Sequence, residues 1–325
     1  MKTRNFKKPK TIIVTGCAGF IGSNFVKVFK KEFPKTNIVG IDDLSTGKIE
    51  NISNQIKFYK KSILNEKEME KIFKEHKPEY IFHFAALPRV SYSIENPIKT
   101  SEINITGTII LLEKSKKYKI KRFILSSSSS IYGGAKKMPT SENNNQPNPK
   151  SPYALQKYVD EQFCKLFSDL FEMETIALRY FNVFGPGQYG KSAYTTVISG
   201  WLESIYFPKN KKGFIEGDGS QTRDFCFVEN IVFANICAMK ATGVFKGEIF
   251  NIGNNIRISL KEVKEKIEKY TNKKLELEKR PSRFGDVKHT HADIKKAMKY
   301  LKYKPLISFS DGLKKTIEWF EMRRK

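Results

Sequence analysis

From residue 11 to about residue 180 the chain alternates short apolar runs with longer stretches in which apolar side chains return every three or four positions. TIIVTG (11–16), NIVGIDD (37–43), IKFYKK (56–61), YIFHFAA (80–86), RFILSSSS (122–129) and ETIALRY (174–180) read as strands. Residues 20–33, 65–76, 96–119 and 151–171 carry the helical period. Regular alternation of strand and helix predicts an α/β fold on a doubly wound parallel sheet, with ligands beyond the carboxyl ends of the strands. The polar, proline-bearing segment Lys136–Lys150 reads as a surface loop. Past FNVFGPGQ (181–188) the pattern loosens. Helices are expected near 194–206, 228–239, 259–270, 291–300 and 310–323, with strand-like stretches at 213–228 and 247–253. The expected division is a first domain over residues 1–180 and a smaller α/β domain over 181–325, with segment 226–253 returning to the first.

Composition narrows the function classes. At 325 residues, 39% hydrophobic and 13% aromatic, the chain is too apolar for a solvated coil and long enough for a substantial core. The formal charge of +25 raises a nucleic-acid or membrane-surface reading. The lysines are spread along the whole chain, however, with no basic block beyond MKTRNFKKPK and no zinc-finger or RNA-recognition spacing. No nucleic-acid partner is expected, and the charge suits anionic substrates. Cys17, Cys164, Cys226 and Cys237 lack CxxC or metal-ligand spacing, so a reduced interior, no metal and a cytoplasmic location are expected. No apolar stretch approaches the roughly 18 residues of a spanning helix, so no membrane insertion is expected.

Candidate chemistry begins at the first strand-to-helix turn, where Gly16, Gly19 and Gly22 form GxxGxxG. Glycines at such a turn let the backbone approach a pyrophosphate at the helix N-terminus. The second strand ends at Asp42, 20 residues after Gly22, where a carboxylate meets an adenosine ribose. An acid there repels a 2′-phosphate, so the expected cofactor is NAD rather than NADP. Small residues at two further strand ends, Ala85-Ala86 and Ser126–Ser130, leave room for a nicotinamide and its ribose. His83 reads as a core or strand-end residue. Downstream, SPYALQK places Tyr153 and Lys157 four residues apart, on one face of a helix capped by Ser151 with Pro152 in its first turn. An ammonium beside a phenol lowers the phenol's pKa, and a serine of the run can hydrogen-bond a substrate hydroxyl beside it. Such a trio takes a proton from an alcohol as hydride leaves its carbon. Tyr-x-x-x-Lys alone often marks an ordinary helix surface, and it gains meaning here from the glycine turn.

TGCAGFIG, Asp42, HFAAL, NITGT, SSSSSIYG, YALQK, LRYFNVFG, DGSQTRDF and RFGDVKHTHADI occur in that order from Thr11 to about Trp319. In this the chain resembles the extended short-chain dehydrogenase/reductases that act on nucleotide-activated sugars. The resemblance implies a Rossmann domain whose NAD site holds Gly16, Gly19, Phe20, Ile21, Gly22, Asp42, Asp43, Ile63, Ala85, Ala86, Asn104, Ser126, Tyr153, Lys157 and Tyr180. It implies catalytic roles for Ser128, Tyr153 and Lys157. Ser128, Ser129, Asn182, Gln188, Thr196, Arg223, Arg283, Asp286 and Thr290 are implied to face the UDP-sugar. Guanidinium groups suit phosphate, and a carboxylate suits ribose hydroxyls. One departure is Ser62, where relatives often carry an aspartate toward the adenine. Relatives are commonly homodimers built from two helices per subunit. The apolar stripe of Phe163, Leu166, Phe167 and Leu170 suits either such an interface or core packing.

The serine run also bears on the reaction. Dehydratases and decarboxylases of the resembled family carry acids before YG for proton transfers beyond carbon 4, and here those places are Ser129 and Ser130. The resemblance therefore implies a UDP-hexose 4-epimerase, with FNVFGPGQ and AYTTVISGW most like the branch acting on UDP-N-acetylhexosamines. A UDP-glucose or UDP-glucuronate 4-epimerase, a net dehydrogenase or dehydratase, and a nucleotide-sensing module on the same fold stay open. In this group, a tyrosine at the place of Thr290 narrows the pocket to plain hexoses, and a smaller residue accompanies acceptance of N-acetylated ones.

Overall fold

The computed structural model describes residues 6–189, 196–208, 212–281 and 287–324. Seven parallel strands form the central sheet in the order Lys246–Ile252, Thr175–Tyr180, Arg122–Ser128, Tyr80–His83, Thr11–Thr15, Asn37–Asp42, Lys57–Lys60. Alternate side chains of each strand enter opposite cores, because successive residues of a strand point to opposite faces. Ile12, Val14, Phe82, Ile124 and Leu178 pack beneath the helices Phe20–Glu32 and Val228–Lys240. Ile13, Ile81, Phe123, Leu125 and Ala177 pack beneath Glu66–His76, Gly107–Lys117 and Pro152–Phe171. Apolar residues thus lie on both faces of these strands, which explains why they read as continuous runs.

Strand order reverses between Thr11–Thr15 and Tyr80–His83, so the connections leaving these neighbours run to opposite sides and open a crevice at their carboxyl ends. The expected strands of residues 11–180 are observed, shortened by one to three residues. Lys246–Ile252 pairs in parallel with Thr175–Tyr180 and so completes the main sheet from far along the chain. The helical stretch 96–119 is observed as Pro97–Ser101 and Gly107–Lys117, joined by a π-helical turn over Glu102–Thr106.

The rest is smaller and less regular. The strand-like stretch 213–228 breaks into Gly213–Glu216, Thr222–Arg223 and Phe225–Phe227, with turns at Gly217 and Gly219. Helix Leu260–Thr271 starts with a capping box from Ser259 and Glu262. It packs with Val197–Tyr206 and Phe309–Met322 around Trp201, Leu202, Phe227, Leu313 and Phe320. Lys136–Lys150 is a loop exposed over most of its length, as expected, and is pinned at a few positions. Thr140 is buried and exchanges backbone hydrogen bonds with His291 and Asp293, while Glu142 accepts from the Asn251 amide. The segment was polar because it stitches backbone to backbone. All four cysteines are buried and unpaired, and no described helix is long and apolar enough to cross a membrane.

Candidate active site

A cavity of about 1180 Å³ lies over the reversal point of the sheet. Its floor is the glycine turn. Gly16 has φ +69°, and a Cβ there would come within 2.6 Å of the Ala85 nitrogen. A Cβ at Gly22 would come within 2.1 Å of the Gly16 carbonyl, so only glycine lets the helix start this close to the strand. The helix Phe20–Glu32 begins at Gly19 with no side-chain cap and no acid in its first turn, a terminus suited to an anion. Asp42 is buried at the end of its strand. Its carboxylate accepts from the amides of Ala18 (2.9 Å) and Leu44 (2.8 Å), bracing the turn while lining the cavity. Burial pushes its pKa up, and the Leu44 and Ala18 amides pull against that. An extended backbone cradle, an uncapped helix terminus and a strand-end carboxylate together fit a dinucleotide such as NAD.

Tyr153, Lys157 and Ser128 converge on the cavity. Helix Pro152–Phe171 carries the first two. Its N-cap Ser151 accepts from the Ala154 amide, and the Tyr153 amide donates to Ser93 Oγ at 3.0 Å, fixing the entry of the helix. Ser128 ends its strand beside Tyr153 and favours its ionised form. Its Oγ accepts from both the amide (3.2 Å) and the hydroxyl (2.9 Å) of Ser130. With both lone pairs filled, Ser128 is left to donate its proton toward Tyr153 or a substrate oxygen.

The expected lowering of the Tyr153 pKa is overturned. Burial raises it, outweighing the Lys157 charge and the Ser128 hydroxyl, and Asp160 pushes it further up. Lys157 Nζ lies 3.1 Å from Asp160 Oδ2, with both side chains sealed from solvent (2% and 0% exposed). The phenol therefore sits beside an ion pair rather than a bare ammonium.

Most of the residues expected at a cofactor line this cavity: Gly16, Gly19, Phe20, Ile21, Gly22, Asp42, Asp43, Ile63, Ala85, Ala86, Ser126 and Tyr180. Asn104 does not. It is fully buried, holds both backbone groups of Leu87 and donates to Gln156 Oε1 at 2.8 Å, so it anchors the loop after His83 behind the lining. His83 is buried between Thr15 and Thr108, which explains a histidine at a strand end without a ligand role. Thr108 gives its proton to the Asn104 carbonyl, so His83 Nε2–H donates to Thr108 and Nδ1 accepts from Thr15. Burial holds its pKa well below the ordinary histidine value.

On the opposite wall, Ser129, Asn182, Gln188, Thr196, Arg223 and Thr290 line the cavity. Arg283 and Asp286 lie outside the described residues. Arg223 Nη1 donates to the carbonyls of Thr222 and Lys288, both at 3.1 Å. The Thr290 hydroxyl accepts from the Asp224 amide and donates to Asn182 Oδ1, both at 3.1 Å, which leaves the Asn182 Nδ2 group as the donor offered to a ligand. Asp224, next to Arg223, is the buried knot of this wall, with its carboxylate accepting from the amides of Asn254 (2.7 Å) and Ala292 (3.0 Å). Sequence reasoning missed Asp224, and also Arg89, Lys150, Tyr189 and His289 on the lining. Asp224 and His289 stood inside quoted motifs, DGSQTRDF and RFGDVKHTHADI, and the other three had no local signal. Among the described lining residues the carboxylates are Asp42 and Asp43, both beside the glycine turn.

The profile of the family described as GDP-mannose 4,6 dehydratase matches residues 13–316. The chain belongs to that family. Solved structures of similar chains include a UDP-glucose 4-epimerase from Thermotoga maritima with UDP-glucose. It is 36% identical with a TM-score of 0.91, over 97% of this chain and 100% of that one. A UDP-N-acetylglucosamine 4-epimerase from Methanobrevibacter ruminantium, in complex with UDP-N-acetylmuramic acid, is 33% identical with a TM-score of 0.89, over 98% and 100%. A UDP-glucuronic acid 4-epimerase from Bacillus cereus, in complex with UDP-glucuronic acid and NAD, is 31% identical with a TM-score of 0.87, over 96% and 99%. These family members share the two-part architecture found here, a parallel sheet with a smaller lobe beside its carboxyl edge.

Proposed function

We propose that this chain is an NAD-dependent UDP-sugar 4-epimerase acting on the UDP-N-acetylglucosamine/UDP-N-acetylgalactosamine pair through a transient 4-keto sugar. The observation that carries this reading is the meeting of Tyr153, Ser128 and Lys157 in a cavity whose described carboxylates all lie at the cofactor end. Dehydration needs an acid and a base beyond carbon 4, and serines occupy those places. The small, hydrogen-bonded Thr290 supports room for an acetamido group on the sugar, as does the likeness to an N-acetylglucosamine epimerase. In this reading residues 1–180, with segment 226–253, form the cofactor lobe, and the remainder of 181–325 forms the substrate lobe.

NAD, held by the glycine turn and Asp42, supplies oxidation and reduction at carbon 4. The chain's own residues handle protons and position. Tyr153 Oη takes the proton of the sugar 4-hydroxyl and later returns it, a general base and then a general acid at one atom. Ser128, forced into donating by Ser130, holds the same sugar oxygen through both half-reactions. Lys157 favours the phenolate electrostatically when Tyr153 ionises. Arg223 and Asn182 anchor the UDP, with Arg283 and Asp286 joining them by resemblance, so that the keto sugar turns over while its nucleotide stays bound. Exposed Leu155, Leu166 and Leu170 on the catalytic helix favour a homodimer, and the chain is expected in the cytoplasm.

The test is incubation of the purified protein with UDP-GlcNAc, UDP-glucose and UDP-glucuronate in turn, followed by proton NMR. The expected result is conversion of UDP-GlcNAc to its 4-epimer ahead of the other two. Preferred turnover of UDP-glucose or UDP-glucuronate moves the enzyme to that branch, and accumulation of NADH makes it a dehydrogenase.

A further inference from the structure

Lys157 lines the cavity yet is almost wholly buried, with 2% of its side chain exposed. Its ammonium has to be held charged by groups inside the protein, since burial of an unpaired cation favours loss of its proton. Burial by itself lowers the Lys157 pKa, and the Asp160 carboxylate, followed by Tyr153, carries it above the ordinary lysine value. The other charged or titratable groups facing the pair do not replace Asp160. His83, across from it on the Tyr80–His83 strand, is held neutral by burial. Glu161, next on the same helix, is committed to Arg179 through paired hydrogen bonds of 2.8 and 2.6 Å and accepts from Ser127. Cys164 and Tyr180 are buried with pKa values raised by desolvation, so both are neutral.

Asp160 itself is costly to keep. It is fully buried, and its Oδ1 has no well-formed hydrogen bond among the described residues, the nearby Thr108 hydroxyl being directed at the Asn104 carbonyl at 2.5 Å. Burial pushes the Asp160 pKa up to about 6, with Lys157 holding it from rising further. A buried ion pair is weak evidence for stability as such, while removal of one partner leaves the other charge buried and uncompensated. Its one strong contact is the ammonium that stands one helical turn beyond the reacting phenol.

We propose that Asp160 is a positioning residue for the reaction, the buried counter-ion that keeps Lys157 charged and aimed along the helix at Tyr153. Asp160 is not itself on the cavity lining and acts through Lys157, which is. This rests on the 4-epimerase reading.

The experiment compares kcat against pH for the parent, Asp160→Asn and Asp160→Glu with UDP-GlcNAc, alongside NAD affinity and the thermal midpoint. A parent with no epimerase activity removes the functional reading, and the comparison is made only with an active parent. Asp160→Asn is expected to lose about tenfold or more in kcat at neutral pH with KM little changed. It also gains a fall in kcat as pH rises, because Lys157 without its counter-ion gives up its proton within the accessible range. Asp160→Glu restores both in part. Parent-like kcat and pH profile in Asp160→Asn overturn the proposal, as does a loss that is uniform across pH, which marks a merely structural role. If Asp160→Asn does not fold, Asp160→Ser is read in its place. A fall in kcat as pH rises supports the proposal, and a parent-like pH profile overturns it.

Discussion

The two walls of the cavity are built on different principles. Tyr153, Lys157 and Ser128 stand on a 20-residue helix and a seven-residue strand of the central sheet. Behind them buried side chains such as Glu161, Arg179 and Asn104 hydrogen-bond one another and the backbone, with Asp160 Oδ1 the exception. Asn182, Arg223 and Thr290 stand instead on strands of two and three residues and on loop backbone, gathered by the Asp224 carboxylate and by carbonyls of neighbouring segments. A wall of long elements fixes atoms to the tolerance that proton transfer needs. A wall of short elements can change its outline by single substitutions while the sheet stays intact, which suits the part that chooses the sugar.

The contrast sets the order of expected effects. On the rigid wall, Tyr153→Phe is expected to lower kcat by roughly 100- to 10,000-fold, the range for loss of a general base, with NAD and UDP binding retained. Stopped assays at matched protein concentration check this, and near-parent turnover removes Tyr153 from the chemistry. In the parent, kcat is expected to rise with pH through neutrality, because burial holds Tyr153 protonated until the medium becomes basic.

On the ligand wall, Arg223→Ala is expected to weaken UDP binding by about tenfold, equivalent to loss of one charge-assisted contact. Titration calorimetry reads it, and equal affinity in mutant and parent shows that Arg223 braces the wall and does not hold the UDP.

The smallest change in total activity, and the sharpest change in choice, is expected at Thr290. Thr290→Tyr should lose UDP-GlcNAc and UDP-GalNAc turnover while retaining UDP-glucose and UDP-galactose, since a ring excludes the acetamido group without improving contacts to the plain sugar. The same change also removes the hydroxyl that holds Asn182. Thr290→Val, of similar size without the hydroxyl, separates the two effects. If Val leaves the ratio of specificity constants unchanged and Tyr inverts it, size selects the sugar; if both lower all four substrates together, the Asn182 tether dominates.

What could be read from the sequence follows the same division. Gly16 and Gly22 were legible because backbone geometry permits nothing else there. The strands were legible because burial on both faces makes them continuously apolar. Asn104 was assigned to the cofactor by resemblance, yet its amide is spent on Leu87 and Gln156, partners that only tertiary contact brings together. The acidity of Tyr153 was misjudged because a Tyr–Lys spacing says nothing of burial, the main cause of the raised pKa, nor of the carboxylate one turn further on. Leu277–Arg280 went unseen as a strand, since LEKR has one apolar residue and three largely exposed charges. The weave of Thr140 and Glu142 into the second lobe left no mark beyond a polar, proline-bearing stretch.

The central claim is that the hydrogen of carbon 4 leaves and returns within one closed cavity while Tyr153 handles only the hydroxyl proton. Incubation of UDP-GlcNAc carrying deuterium at carbon 4 in ordinary water tests it most directly. The account predicts UDP-GalNAc with the deuterium retained at carbon 4. Hydrogen from water at that carbon, or deuterium moved to carbon 6 with loss of a hydroxyl, contradicts it.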